Sequence, residues 1–362
     1  ARMDIRDDDE RTVLHMAVDG GSLNAVKLFL DLGSEINAVD DSGFSPLHFA
    51  VMECDSEIVA FLLNHGAKSD TKCKQEYTPL HTAVQRNDLD TATLLLSHRA
   101  DANTCNKDGD SPLHAAVGNG NIEMVTLLFN HGAKFPKRGH TLLHDAVIRH
   151  NLELVTLLIN YGAYLEAKDH DGNTPMRLAV KNRDAEMVAL LIDHGADIYT
   201  MCDYGNELLY IAANRSYMNI IKLLLKHRIH CGGYAGIIAL RKSILEGKRE
   251  CIKLLIHGGC HIYTTDDDKN TPLHLAAAIG NLDLLMPLVN KVDINVKGKK
   301  GNTPLHFAAK RGSMTDVLML LDHGADVYTF NDKSKLPIHY AKNSEVVQIL
   351  VIQMILAARM SK

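Results

Sequence analysis

The chain has 362 residues, a formal net charge of −5 and 46% hydrophobic residues. This acidic balance argues against general nucleic-acid binding, and no apolar run reaches the ~20 residues that a membrane-spanning helix requires. The seven cysteines are scattered and lack a C-x-x-C spacing, which fits a reducing compartment better than a disulfide framework. No signal peptide opens the chain, so we expect a cytoplasmic or nuclear location and not secretion.

A four-residue phrase, Thr-Pro-Leu-His or a variant of it, recurs about every 33 residues along the chain. The clear copies begin at Ser45, Thr78, Ser111, Thr271 and Thr303, and weaker copies begin at Thr12, Thr141, Thr174, Glu207, Ile238 and Leu336. Repetition at this period is typical of a solenoid, in which each unit contacts only its neighbours. Since solenoids expose long surfaces instead of enclosing pockets, the pattern favours binding over catalysis.

Each copy predicts two helices followed by a turn. Thr or Ser is a helix N-cap, Pro occupies the first helical position, and Leu faces the core. A second apolar run follows, for example over residues 125–129 and 188–192. Glycines such as Gly66 and Gly132 end these runs, where a helix C-cap requires a positive φ. Asp-rich segments such as 40–43 then predict hairpin tips.

This unit resembles the ankyrin repeat, which consists of two antiparallel helices and a projecting β-hairpin. The resemblance covers residues 7–358 and implies an α-helical solenoid of about eleven stacked repeats, which we predict to be one solenoid over residues 1–362. The repeats are predicted to begin near residues 7, 40, 73, 106, 136, 169, 202, 233, 266, 298 and 331. The family also implies that the His of the phrase bridges neighbouring repeats through hydrogen bonds.

The sequence departs from the repeat pattern over residues 200–295, which we predict to be an irregular stretch. In the eighth repeat Arg241 replaces the structural His, Ser243 replaces the packing Ala, and three glycines lie in the preceding hairpin at 230–236. Pro287 should kink the second helix of the ninth repeat. A local distortion of the solenoid is the favoured interpretation, and a dedicated binding feature is the alternative.

A group of histidines and cysteines in the seventh and eighth repeats is the one candidate for metal chemistry. Its members are His227, His230, Cys231, Cys260 and His261. Mixed His and Cys ligands suit zinc, but His227 belongs to a set of histidines that end the second helices throughout the chain. Coincidental packing is the favoured interpretation. No nucleotide-binding or hydrolase motif appears, so we predict no catalytic residue, no cofactor and no metal.

The resemblance places partner-binding residues at the hairpin tips and on the exposed edge of the first helices, which line one concave groove in ankyrin-like rods. The residues at these positions are Phe44, Met52, Tyr77, Gln85, Arg86, His140, Arg149, Tyr204, Arg215, Tyr234, Lys299, Lys300, Lys310 and Arg311. Phe44 and Tyr77 occupy equivalent tips and would form an apolar ledge. The basic residues of the tenth repeat could meet an acidic peptide, although a solvated face is the favoured interpretation.

The last helix is apolar on almost every side over residues 346–356, so we expect a C-terminal extension or a partner to cover it. A partly exposed last helix is the alternative. The chain as a whole is predicted to be a non-enzymatic protein–protein interaction scaffold or adaptor. The alternative is the recognition arm of a larger protein, such as a host-targeting effector, a ubiquitin-ligase adaptor or a toxin-like protein.

Overall fold

The computed structural model describes residues 5–136, 141–199, 208–227, 234–285 and 293–360, apart from the side chains of residues 234, 235 and 360. The chain divides into two compact units, Ala1–Pro175 and Met176–Lys362. Both units are built from α-helices, and the described residues contain no β-sheet, only one isolated bridge between Arg6 and Thr12. The predicted helical solenoid class is confirmed.

Pairs of short antiparallel helices make up the first unit. These helices are α1 (Val13–Asp19), α2 (Leu23–Asp31), α3 (Pro46–Met52), α4 (Ser56–Asn64), α5 (Pro79–Gln85), α6 (Leu89–Ser97), α7 (Pro112–Asn119), α8 (Ile122–Asn130), α9 (Leu142–Ile148) and α10 (Leu152–Asn160). Their apolar faces form the core, where Leu47, Leu80 and Leu113 of the recurring phrase are at most 1% exposed. The phrase therefore supplies the buried side of each first helix.

The second unit contains the same kind of helix pair. Helix α11 (Pro175–Lys181) begins at the last residue of the first unit, and it is followed by α12 (Ala185–Asp193), α13 (Leu208–Asn214), α14 (Met218–Lys226), α15 (Tyr234–Leu245), α16 (Arg249–His257), α17 (Pro272–Ile279), α18 (Pro304–Arg311), α19 (Met314–Asp322) and α20 (Ser344–Met360). Short 3-10 helices lie at Leu282–Leu284, Lys299–Gly301 and Pro337–Tyr340.

The His of the phrase performs two structural tasks at once. At its own helix start it completes a capping box, because the backbone N–H of Ser45 donates to Nδ1 of His48 over 3.0 Å. A backbone N–H can only donate, so Nδ1 is the acceptor and the proton of the neutral ring lies on Nε2. That Nε2 donates to the carbonyl of Tyr77 in the next repeat over 3.3 Å.

The same bridge recurs at a separation of about 29 residues, as the family implies. His15, His81 and His144 donate to carbonyls at Phe44, Asp110 and Asn173 in the first unit, and His274 and His306 donate to Asn302 and Lys335 in the second. Burial lowers the pKa of His48 from 6.5 to about 4, although the hydrogen bond to Tyr77 opposes this shift. The bridging ring is therefore neutral at physiological pH.

The hairpin tips are tight turns in this structure. In the second repeat the N–H of Asp40 donates to the carbonyl of Phe44, and the Asp40 side chain accepts from the N–H groups of Ser42 and Phe44. Neighbouring tips are joined by single backbone hydrogen bonds, such as Lys74 N–H to the carbonyl of Ser42 and Lys107 N–H to Gln75. Tips are present in the described residues, where turns such as 40–44, 73–77 and 106–110 each close within five residues and leave no room for extended strands.

Glycines end the second helices, and asparagine side chains connect successive repeats. Gly66 and Gly132 adopt φ values of 93° and 85° after the second helices, which confirms the predicted C-cap role. The side chain of Asn103 then latches one repeat to the next, because its Nδ2 donates to the carbonyl of Gly132 while its Oδ1 accepts from the N–H of Lys134. Asn37 and Asn295 make the corresponding contacts to the repeats that follow them.

The eighth repeat keeps its connection to the ninth by a different side chain. Arg241 donates to the carbonyl of Asn270, 29 residues ahead, and also forms a 2.6 Å ion pair with Asp266. Ser243 is fully buried at the packing position of the usual Ala, and its hydroxyl donates to the carbonyl of Ala239 one turn earlier. Arg241 therefore preserves the junction to the ninth repeat, and Ser243 occupies the packing position with its hydroxyl hydrogen-bonded inside its own helix.

Two details of the irregular stretch differ from the sequence expectation. Helix α15 has 12 residues and includes 234–236, so the end of the expected hairpin at 230–236 is in fact the first turn of a helix. In the ninth repeat, Leu282–Leu284 form a 3-10 helix at the place where the nine-residue second helices of other repeats begin. Pro287 lies outside the described residues, and so does most of the hairpin before α15.

Candidate partner-binding surface

The two aromatic side chains of the predicted ledge are half-buried in the first unit. The ring of Phe44 meets His48 and Phe49 edge-on at centroid distances of 5.4 and 6.4 Å. The ring of Tyr77 meets His81 in the same manner at 5.5 Å. Each tip aromatic thus covers the bridging imidazole of its own repeat and presents only its remaining surface to solvent.

The predicted residues on the first helices of this unit differ in their exposure to solvent and in their contacts with neighbouring repeats. Gln85 and Arg149 are exposed near the ends of α5 and α9, and Met52 is half-buried at the end of α3. Arg86 is exposed, but its Nε donates to Sγ of Cys54 over 3.2 Å, so its guanidinium is anchored to the preceding repeat. Gln85 and Arg149 remain the polar positions open to a partner.

Two apolar residues that the sequence did not single out are exposed on the same helices. Met16 of α1 is 46% exposed, and Ile148 of α9 is 51% exposed. Met16 directly follows the bridging His15 in the phrase, and Ile148 lies four residues after His144. At the position of Met16 the second repeat has the buried Phe49, so exposure at this position differs between repeats and was not visible in the sequence.

The basic residues of the tenth repeat separate into two groups. The ammonium of Lys299 pairs with Asp268 over 2.7 Å, and Nη1 of Arg311 donates to the carbonyl of Ala278 over 3.4 Å. Lys300 and Lys310 are exposed, and no described carboxylate lies within ion-pair distance of either. The first group connects the ninth and tenth repeats, whereas the second is open to solvent.

Lys300 and Lys310 line a cleft of about 230 Å³ in the second unit. The remaining lining residues are Asn302, His306, Phe307, Lys333 and Tyr340. A second cleft in this unit has a volume of about 470 Å³ and brings the predicted Arg215 together with Arg177, Lys181, Tyr210, Ile211, Asn214 and Tyr217. Both clefts combine cationic with aromatic side chains, and the aromatic residues and the arginines of the larger cleft are residue types enriched at protein interfaces.

The family is decided by a sequence model described as "Ankyrin repeats (3 copies)", which matches in overlapping segments at residues 1–73, 55–139, 80–169, 143–235, 237–331 and 273–358. The chain belongs to the ankyrin repeat family. Repeats of this family mediate protein–protein interaction, and the fold is a non-catalytic interaction fold. The recurring phrase, the helix pairs and the His bridges all agree with this assignment.

The ankyrin repeat chain is similar to proteins of several architectures. It is 34% identical over 107 residues to the candidate E3 ubiquitin-protein ligase XBAT35 of Arabidopsis thaliana, a match that covers 28% of this chain and 23% of that protein. It is 30% identical over 109 residues to Ankyrin repeat and SOCS box protein 5 of Mus musculus, covering 30% of this chain and 33% of that protein. The chain therefore spans less than two thirds of the curated relatives it matches.

Among solved structures, the crystal structure of the human ASB11 ankyrin repeat domain aligns with this ankyrin repeat chain at a TM-score of 0.46 and 27% sequence identity. The alignment covers 55% of this chain and 90% of the human domain. Within the part of the chain that the structure describes, no helix is both long and apolar enough to cross a membrane.

Several predicted site residues lie outside the residues that the structure describes. His140 and Tyr204 lie outside the described residues, as do His230 and Cys231 of the His and Cys group, and Tyr234 is described only as backbone within α15. Of the rest of that group, Cys260 is buried and Nδ1 of His261 lies 2.8 Å from the Tyr263 hydroxyl. The described residues contain no cluster of metal-ligating side chains.

Proposed function

We propose that this ankyrin repeat protein is a non-enzymatic scaffold that holds a protein partner on its hairpin tips and on the exposed face of its first helices. One observation carries the proposal. The recurring residues of the phrase are buried in contacts within and between repeats, whereas residues at variable positions beside them are exposed to solvent. His15 is buried in its bridge, while Met16 beside it is 46% exposed. Exposed apolar and basic side chains on a rigid support suit binding to a protein surface.

The alternative is that the chain is the recognition arm of a larger protein. Two relatives support it, since one is named for an E3 ubiquitin-protein ligase and the other for a SOCS box in addition to its ankyrin repeats. The chain covers only 23% and 33% of their lengths. Under this alternative the same surface selects the target, and catalysis or recruitment resides in other parts of the protein.

The last helix supports a second contact. Val346 and Leu350 of α20 are buried, but Val351, Ile352, Ile355 and Leu356 are 39–55% exposed along its second half. Exposed apolar side chains grouped on one helix are a feature of interaction sites. We therefore retain the proposal that a C-terminal extension or a partner covers this helix.

A cytoplasmic or nuclear location is also part of the proposal. The described cysteines Cys54, Cys73, Cys105, Cys251 and Cys260 are free thiols, which fits a reducing compartment.

The scaffold proposal is tested by matched substitutions in the first unit. Met16→Asp with Ile148→Asp places charges on the first helices, and Leu28→Asp with Leu32→Asp does the same at positions 55% and 50% exposed on the opposite helix layer. Both variants should keep the helical circular dichroism spectrum. Proximity labelling by the full chain in cells, read by mass spectrometry, should lose partners only for the first pair; equal loss or equal retention would count against the first-helix surface.

A further inference from the structure

The last two repeats carry the same two side-chain types at the same two positions. Lys300 and Lys333 are 33 residues apart and occupy equivalent places in successive hairpin tips. Phe307 and Tyr340 are also 33 residues apart, each directly after the His of its phrase. Together with Lys310, these residues line the cleft of about 230 Å³, which is called here the lysine–aromatic cleft. Stacking thus converts a periodic pattern into paired cations beside paired rings.

The lysines of the cleft take part in no ion pair of the described residues, and the carboxylate of Asp332 lies beside Gly301 in the same pair of tips. Lys300, Lys310 and Lys333 are exposed, and none of them forms an ion pair with a carboxylate of the described residues. The tip position of Lys300 is acidic in other repeats, for example Asp108 and Asp268. In a chain whose net charge is −5, the two tips at Lys300 and Lys333 therefore each present a lysine to solvent.

A buried amide fixes the wall of the cleft. Asn331 is only 5% exposed, and its Nδ2 donates to Oη of Tyr340 over 2.9 Å and to Oδ1 of Asn302 over 2.7 Å. Its Oδ1 accepts from the backbone N–H groups of Lys333 and Lys335. Because the Tyr340 oxygen accepts from Asn331, its own O–H can donate into the cleft. The tip and the ring are therefore preorganised for a ligand.

The two rings supply an apolar floor. Phe307 meets His274 edge-on at 5.7 Å, and Tyr340 meets His306 at 5.8 Å. Both rings are half-buried, so each is held by a bridging imidazole on one side and keeps a free apolar surface on the other. Aromatic rings of this kind anchor a partner's apolar side chain at low entropic cost.

We infer that the lysine–aromatic cleft binds an acidic peptide segment of a partner protein, with its Asp or Glu carboxylates against the three lysines and one apolar side chain against Phe307 and Tyr340. This inference rests on the proposed scaffold function and names its ligand. Lysine ammonium groups act as point charges that suit carboxylates spread along a chain. The lining residues include no arginine, whose planar fork is the group that recognises phosphate in a bidentate manner.

The experiment titrates the full chain against a fluorescein-labelled peptide in which glutamates flank a single phenylalanine, with fluorescence anisotropy as the readout. Charge reversal by Lys300→Glu with Lys333→Glu should weaken binding by about tenfold or more, since two favourable pairs become repulsive. Replacing the phenylalanine of the peptide by alanine should also weaken binding. A rise in salt should weaken binding to the unmodified chain, because exposed charges are screened.

A matched control is Lys74→Glu with Lys107→Glu, which makes the same charge change at exposed tips of the third and fourth repeats. It should leave peptide binding unchanged. The inference is overturned if the unmodified chain does not bind the peptide, if both double variants weaken binding equally, or if a phosphoserine peptide or an oligonucleotide of equal charge binds better. If the full chain still labels its partners in cells but fails these peptide tests, the acidic-peptide inference is wrong and the scaffold proposal stands.

Discussion

The junction after the second repeat and the junction after the eighth perform the same task with different chemistry. In the first, the neutral imidazole of His48 reaches the carbonyl of Tyr77. At the junction after the eighth repeat, the cationic guanidinium of Arg241 donates to the carbonyl of Asn270 at the same separation of 29 residues and pairs with Asp266. The fold requires a hydrogen-bond donor at this position, and either a neutral or a cationic side chain can supply it. The charge of that side chain determines how the stability of the junction changes with pH and with salt.

The two junctions respond to different ranges of pH. The pKa of His48 is lowered in the folded chain, so the stability it contributes is complete above pH 6.5 and is lost as the pH falls toward about 4. Burial alone would raise the pKa of Asp266, but hydrogen bonds from the Asn270 N–H and from Arg241 outweigh it and hold the pKa below 3.8. The arginine junction therefore loses stability only at pH values below about 4.

The largest expected effect is acid destabilisation of the histidine junctions. His15, His81, His274 and His306 also have a lowered pKa because they are buried. His48 alone should contribute on the order of 3 kcal/mol to stability above pH 6.5 and nothing well below pH 4. Native-state hydrogen exchange, corrected for intrinsic rates, should show α3 and α5 opening between these values while α15 stays protected. Equal opening of α3, α5 and α15 over this pH range would contradict the expected difference between the histidine and arginine junctions.

His48→Ala should have the next largest effect, a loss of about 3 kcal/mol. The substitution leaves the N–H of Ser45 without its acceptor, removes one of the two hydrogen bonds to the carbonyl of Tyr77 and empties a fully buried site. Urea unfolding measures the change, with the exposed His131→Ala as the control because Nδ1 of His131 donates to the carbonyl of Leu127 within its own helix. A cost below about 1 kcal/mol would show that the bridge is dispensable.

Arg241→Ala should cost about 1–2 kcal/mol, less than the histidine, because its ion pair is partly exposed. The adjacent Lys242→Ala is the matched control, since Lys242 forms only an exposed pair with Glu246. Arg241→His should recover part of the loss by restoring the donor without the charge. The effect of Arg241→Ala should shrink in high salt, and a salt-independent loss would show that Asp266 contributes little.

Ser243→Ala should have the smallest effect, within about 0.5 kcal/mol of zero. The hydroxyl donates only to the carbonyl of Ala239 within its own helix, and Ala is the residue of the regular repeats at this place. Thermal melting of the full chain is sufficient to test it. A large loss would mean that the eighth repeat packs in a manner that the regular repeats do not share.

Much of the fold could be predicted from the sequence because its determinants are local. Helices begin at Pro46, Pro79 and Pro112 after the predicted caps. Gly66 adopts the predicted left-handed conformation. These features depend on residues within one or two turns of each other, which the sequence displays side by side.

The candidate surface was predicted less completely because it depends on contacts between repeats. Lys299 and Lys300 are adjacent in sequence, yet the first is paired with Asp268 and the second lines the lysine–aromatic cleft. Lys333, one repeat further on, was missed. The 33-residue spacing to Lys300 was available in the sequence, but only stacking places the two tips beside the same rings.

The recurring phrase by itself determined the family, the helix pairs and the caps, because each of these follows from chemistry within one repeat and a fixed period. The histidine bridges were implied by the resemblance, and their neutral state was decided by burial and by hydrogen bonds that include the next repeat. The tertiary structure alone decided which surface groups are free. Arg86 is anchored by Cys54 of the preceding repeat, whereas Lys310 lines a cleft and is open to a ligand. In both cases the outcome depends on side chains about one repeat away. Such distances in space are set by how repeats stack, and the order of residues in one repeat does not contain them.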